Sequence, residues 1–107
     1  VAGNRYVVCR SDALAEGKGE SFTVEGHRIA VFMVDGEFFA IEDRCSHANA
    51  PLAGGYVHLR EKCVICPWHG AEFDLRTGGV MAPPACEDIT SYPLVVEDGH
   101  LSIELPV

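Results

Sequence analysis

A chain of 107 residues, 48% hydrophobic and 22% charged, has the size and apolar content of a single domain with one core, spanning 1–107. Sixteen acidic against eight basic residues give a formal charge of −8, which argues against nucleic acid, whose binding proteins cluster Lys and Arg for phosphate contacts. No run approaches the roughly 18 to 20 apolar residues of a membrane span, and Val1 to Arg5 lacks the apolar stretch of a secretory signal. Five cysteines, an odd number, suit a reducing compartment better than a disulfide framework, so the cytoplasm is the expected location.

In chain order, Arg5 to Cys9 is a short β-prone run, and Ser11 to Leu14 predicts one capped helical turn. Glu16 to Gly19 reads as a loop, and Glu20 to Val24 alternates like a strand. Glu25-Gly26 turns the chain into the strongest β run, His27 to Val34. Asp35-Gly36 is a two-residue hairpin signal, with Glu37 to Ile41 returning. The pattern recurs near the end, where Tyr92 to Val96 leads into Asp98-Gly99 and Leu101 to Leu105 comes back. Between the hairpins, roughly 42–84, the β rhythm breaks and Gly, Pro and Cys become frequent. That stretch predicts an inserted, site-bearing subdomain in which Lys62 to Cys66 and Glu72 to Leu75 are short strands. No helical period is long enough to anchor an α layer, so the expected fold is all-β, a small sandwich or open barrel.

Chemistry concentrates in the insert. Cys45-Ser46-His47 is followed, after 18 residues, by Cys66-Pro67-Trp68-His69. Each loop offers one thiolate and one imidazole, and two such loops facing each other can clamp a compact metal centre. Two Cys and two His can hold one tetrahedral zinc ion or a two-iron cluster with unlike ends. Zinc fingers usually keep Cys with Cys and place the His pair on a helix, whereas here each loop is mixed and the surroundings are β. Cys63-x-x-Cys66 offers a competing zinc-knuckle or dithiol reading.

The pattern C-x-H, a gap, then C-x-x-H resembles the Rieske signature. The similarity continues through Gly70-Ala71, Phe73-Asp74 and Thr77-Gly78, then Pro83-Pro84-Ala85 with Ile89, Tyr92 and Val95, and so covers essentially the whole chain. It implies a Rieske-type base with the cluster-binding insert. It also implies one [2Fe–2S] cluster per chain, with Cys45 and Cys66 on the inner iron and His47 and His69 on the outer one. Two ferric ions, two sulfides and two thiolates sum to zero, so such a site accepts an electron more readily than a four-thiolate one. High-potential members of the family carry an extra Cys in each loop, and a Ser and a Tyr that donate to the cluster sulfurs. This chain has no such cysteines and has Ala71 and Phe73 at the donor positions. The implied potential lies near the low end of the family span of roughly −150 to +300 mV.

No room remains for a mononuclear-iron catalytic domain, and His27, His58 and His100 are scattered. The resemblance therefore implies a monomeric, non-enzymatic ferredoxin. Its expected partners are a flavin-dependent reductase upstream and a terminal ring-hydroxylating oxygenase downstream. A Rieske-like small subunit of an assimilatory nitrite reductase and an iron–sulfur redox-sensing module stay open as alternatives. Cys9, Cys63 and Cys86 read as small buried hydrophobes, Trp68 as a lid over the cluster, Gly54-Gly55 as a turn, and Pro83-Pro84 as a chain director. Arg44, Arg60, Lys62 and Arg76 lie in or beside the insert, which predicts a less acidic cluster end and a negative C-terminal hairpin.

Overall fold

The computed structural model describes residues 4–44, 51–67, 70–82 and 88–105. Its strands are β1 (Asn4–Arg10), β2 (Gly19–Val24), β3 (His27–Val34), β4 (Glu37–Glu42), β5 (Tyr56–His58), β6 (Cys63–Ile65), β7 (Glu72–Asp74), β8 (Val80–Ala82), β9 (Ser91–Tyr92), β10 (Leu94–Glu97) and β11 (His100–Leu105). They form three antiparallel sheets in the orders β1-β11-β10, β2-β3-β4-β9 and β5-β6-β7-β8. Among the described residues no sheet closes on itself, and the all-β fold is as expected.

Three two-residue turns set the registers of the base. Glu25-Gly26, Asp35-Gly36 and Asp98-Gly99 all have φ between 50° and 81° at both positions. Positive φ at both central residues is the twist that suits a tight hairpin. Pairing follows directly, with Val24 opposite His27, Val34 opposite Glu37 and Glu97 opposite His100.

The core is organised about β3. Ile29 and Val31 face one way and pack with Ala40, Leu101, Ile103 and Leu105 between the first two sheets. Ala30, Phe32 and Val34 face the other way and join Val57, Val64, Phe73 and Leu75 of the small third sheet and its turn. Residues Ile29 to Phe32 are all fully buried, which explains why this strand reads as a continuous apolar run instead of alternating. The insert therefore shares a core with the base.

Two expectations are corrected. The Ser11–Leu14 segment forms no helical turn. Ser11 N–H donates to the Gly99 carbonyl at 2.8 Å, and a single turn bond joins Ala13 N–H to the Arg10 carbonyl at 3.1 Å. The Ser11 N–H thus serves the neighbouring hairpin, while Leu14 is buried in the core. The expected strand Tyr92–Val96 is two strands in different sheets, because Pro93 has no N–H to continue a ladder. Tyr92 pairs with Ala40, whereas Leu94 pairs with Ile103, and the chain changes sheet at the proline. Strands β5 and β8 had no expectation of their own. The C-terminal hairpin is also less negative than its sequence, since Arg5 on β1 pairs with both Glu97 and Glu104.

The third sheet has one apolar and one acidic face. Val64 and Phe73 point into the core, while the Cys63 thiol points the other way and donates to Glu72 Oε1 at 3.7 Å. Ligand atoms of Glu61, Cys63 and Glu72 lie within 4.8 Å of one another. Burial, and then the Glu72 carboxylate, push the Cys63 thiol up to about 11 from the ordinary 9.0. Above pH 9 the unfolded chain releases this proton while the folded chain retains it, so the unfolded state binds fewer protons. Stability from this group is complete below pH 9 and is lost as pH rises towards 11. Denaturant midpoints between pH 8.5 and 11 should fall for the native chain and fall less steeply for Cys63→Ala.

Candidate metal centre

Of the expected ligands, Cys66 lies among the described residues. Cys45, His47 and His69 lie outside them, as do Trp68, the Pro83-Pro84 pair and Cys86. Cys66 directly follows β6 and is 2% exposed. Its N–H donates to the Ala71 carbonyl at 2.7 Å, and Gly70 N–H donates to the Cys66 carbonyl at 3.1 Å. These bonds tie both ends of the loop that contains His69. Gly70 has φ +77°, a conformation that side chains rarely adopt, so glycine is needed where the loop turns back into β7.

Ala71 and Phe73 are fully buried in the core shared with Cys66. Neither side chain carries a hydrogen-bond donor, so this wall of the site is apolar. Cys63 is also buried, but it occupies the opposite face of β6 from Val64, where its thiol meets carboxylates. That orientation is unsuited to a zinc knuckle or a dithiol formed with Cys66.

The first loop is anchored at both flanks. At its start, Asp43 is 2% exposed and its N–H donates to the Arg28 carbonyl at 2.9 Å. The Asp43 carboxylate accepts Ser21 Oγ at 2.6 Å on Oδ2, and Leu52 N–H and Ala53 N–H at 2.8 and 2.9 Å on Oδ1. Glu42 and Arg44, on either side, pair at 2.7 Å. At its end, Leu52 and Ala53 are buried in the same core as Cys66. Gly55 then passes so close to β6 that a Cβ there would lie 2.6 Å from the Ile65 carbonyl oxygen and 3.0 Å from that of Leu52. A Cβ at Gly54 would meet nothing within 4 Å, so of this expected turn only Gly55 is sterically obligatory.

The flank of one loop is thus seated on the strand that delivers the thiol of the other. The described residues fit a compact centre held between two loops: a buried cysteine, an apolar wall and a close backbone approach that only glycine permits. Asp43 is the residue that sequence reasoning missed, and Gly55, expected only to turn the chain, also admits β6 at close range. An acid just past the end of β4, two positions before Cys45, was the available signal.

The basic residues near the insert are mostly spent on local pairs. Lys62 meets Glu37 at 2.7 Å and Arg76 meets Asp74 at 3.4 Å, while Arg60 is exposed.

Comparison with known proteins agrees with this geometry. Residues 4–93 match the family model of the Rieske [2Fe-2S] domain. The 3-phenylpropionate/cinnamic acid dioxygenase ferredoxin subunit of Escherichia coli (strain K12) is 42% identical over 104 residues, covering 96% of this chain and 95% of that protein. The ferredoxin of carbazole 1,9a-dioxygenase from Nocardioides aromaticivorans IC177 superposes with a TM-score of 0.88 at 31% identity, over 95% of this chain and 99% of that one. A chain from the complex of reduced oxygenase and oxidized ferredoxin in carbazole 1,9a-dioxygenase gives 0.86 at 26% identity, over 94% and 92% of the two chains. With the family model spanning most of its length and close identity to a dioxygenase ferredoxin subunit, the chain belongs to the Rieske [2Fe–2S] domain family.

Proposed function

We propose that this chain, as one domain over 1–107, is the electron-carrying ferredoxin of an aromatic-ring dioxygenase system and not itself an enzyme. It receives single electrons from a flavin-dependent reductase and delivers them to a terminal oxygenase. It works as a cytoplasmic monomer that docks transiently on each partner. The named relatives support the dioxygenase setting, and the carbazole complex supports an oxygenase as the docking partner.

In this reading Cys45 and Cys66 hold the inner iron, and His47 and His69 the outer one. The observation that carries it is the close approach of Gly55 to Ile65, with Leu52 and Ala53 in the core shared with Cys66, which supports two facing ligand loops. A [2Fe–2S] cluster held there supplies reversible one-electron transfer. The chain's own contribution is to exclude water with Ala71, Phe73 and Leu52 and to hold the Cys66 loop closed through Gly70 and Ala71. With no side-chain donor at positions 71 and 73, nothing there favours added negative charge. A low potential follows, in keeping with an electron donor to an oxygenase.

Purified protein should be red-brown, with two irons and two acid-labile sulfides per chain. One zinc and no sulfide would overturn the cluster assignment. Replacing His47 or His69 by Cys should lower the midpoint potential measured by redox titration, because each change adds a negative charge to the ligand set. An unchanged potential in both variants would remove them from that set. Gly55→Val should lower iron content at least several-fold through its clash with the Ile65 carbonyl, while Gly54→Ala should load normally.

A further inference from the structure

Asp43 has no place in the ligand set, yet its carboxylate is buried and multiply bonded. A buried carboxylate needs donors, and every described contact supplies one: the Ser21 hydroxyl and the N–H groups of Leu52 and Ala53. Those two amides belong to no strand, so without Asp43 they would be buried donors lacking an acceptor. One side chain thus joins the exit of β4, the edge strand β2 and the far flank of the first ligand loop. Residues 45 and 47 lie between its two anchor points.

We propose that Asp43 is a positioning residue for the metal centre. Its carboxylate closes the base of the loop carrying Cys45 and His47, and its buried charge holds the reduction potential down. The inference rests on the ligand set proposed above.

Closure follows from the bonds themselves. Asp43 is fixed to Arg28 by its own N–H and to Leu52 and Ala53 by its carboxylate, so the loop's flanks are held together by bonds that use no ligand residue. A loop closed in advance presents its ligands at a smaller entropic cost. The electrostatic part follows from covalent geometry. Two peptide units separate Asp43 from Cys45, so their Cα atoms lie within about 7 to 8 Å of each other. A charge held that near and out of water is weakly screened, and a negative one opposes the gain of an electron.

Three variants of the loaded protein test this. Asp43→Asn can still accept the two backbone bonds and donate to Ser21, but carries no charge. It should retain two irons and the native visible and circular-dichroism spectra, with a raised midpoint potential. Asp43→Ala and Ser21→Ala remove all or part of the closure. Both should release iron to a chelator faster than the native protein, several-fold for Asp43→Ala and less for Ser21→Ala. Should Asp43→Ala fail to fold, the other two still decide. An unchanged potential in Asp43→Asn would overturn the electrostatic role. Native release rates in the closure variants would overturn the positioning role. Native protein lacking iron and sulfide would strike at the proposed function instead, which keeps the two failures distinguishable.

Discussion

Burial of β3 on both faces is the constraint from which the rest of the structure follows. A strand with one wet face would tolerate polar residues at every second position; Ile29, Ala30, Val31 and Phe32 tolerate none. One face needs the β1-β11-β10 sheet and the other needs the small sheet of the insert. At roughly 1.5 to 3 kcal/mol for each fully buried large apolar side chain, the cluster holding Phe32 and Phe73 and the cluster holding Ile29 and Ile103 join three sheets into one body. That packing also fixes where β6 ends, and with it the position of Cys66.

The two loops reach the site by different physical means. The Cys66 loop is short and local, tied by two backbone bonds between neighbouring strands. The Cys45 loop follows the end of β4, and a side chain ties its two described flanks together. A carboxylate accepting two adjacent amides does for this loop what a ladder of backbone bonds does for a hairpin.

Legibility in the sequence divides along the same line. The base strands were readable because their turns are chemically explicit: Asp-Gly twice and Glu-Gly once, flanked by β formers. The candidate ligand pairs stand out because Cys and His at close spacing have few other uses. Pro93 carries a signal that the expected Tyr92–Val96 strand passes over, since it splits Tyr92 from Leu94 as a proline should. What could not be read depends on contacts between distant segments. Strands β5 and β8 have three residues each and exist because β6 and β7 are there to pair with. Arg5 offsets the acids of a hairpin more than ninety residues away. Asp43 and Gly55 acquire their roles only when Leu52 to Gly55 returns to β6, and no local pattern announces that return.

The shared core has a thermodynamic consequence. An autonomous metal-binding module could melt and re-form on its own while its host stayed folded. Here Cys66 and the residues flanking the proposed ligand loops, Leu52, Ala53 and Ala71, belong to the same core as Phe32 and Ile41. Whatever binds only the folded site must then stabilise the whole chain by mass action. The reverse holds equally, so a core substitution far from the loops, on β3 or β4, weakens the hold on the metal through the fraction of chains that are folded. Metal retention and fold stability become two readings of one equilibrium.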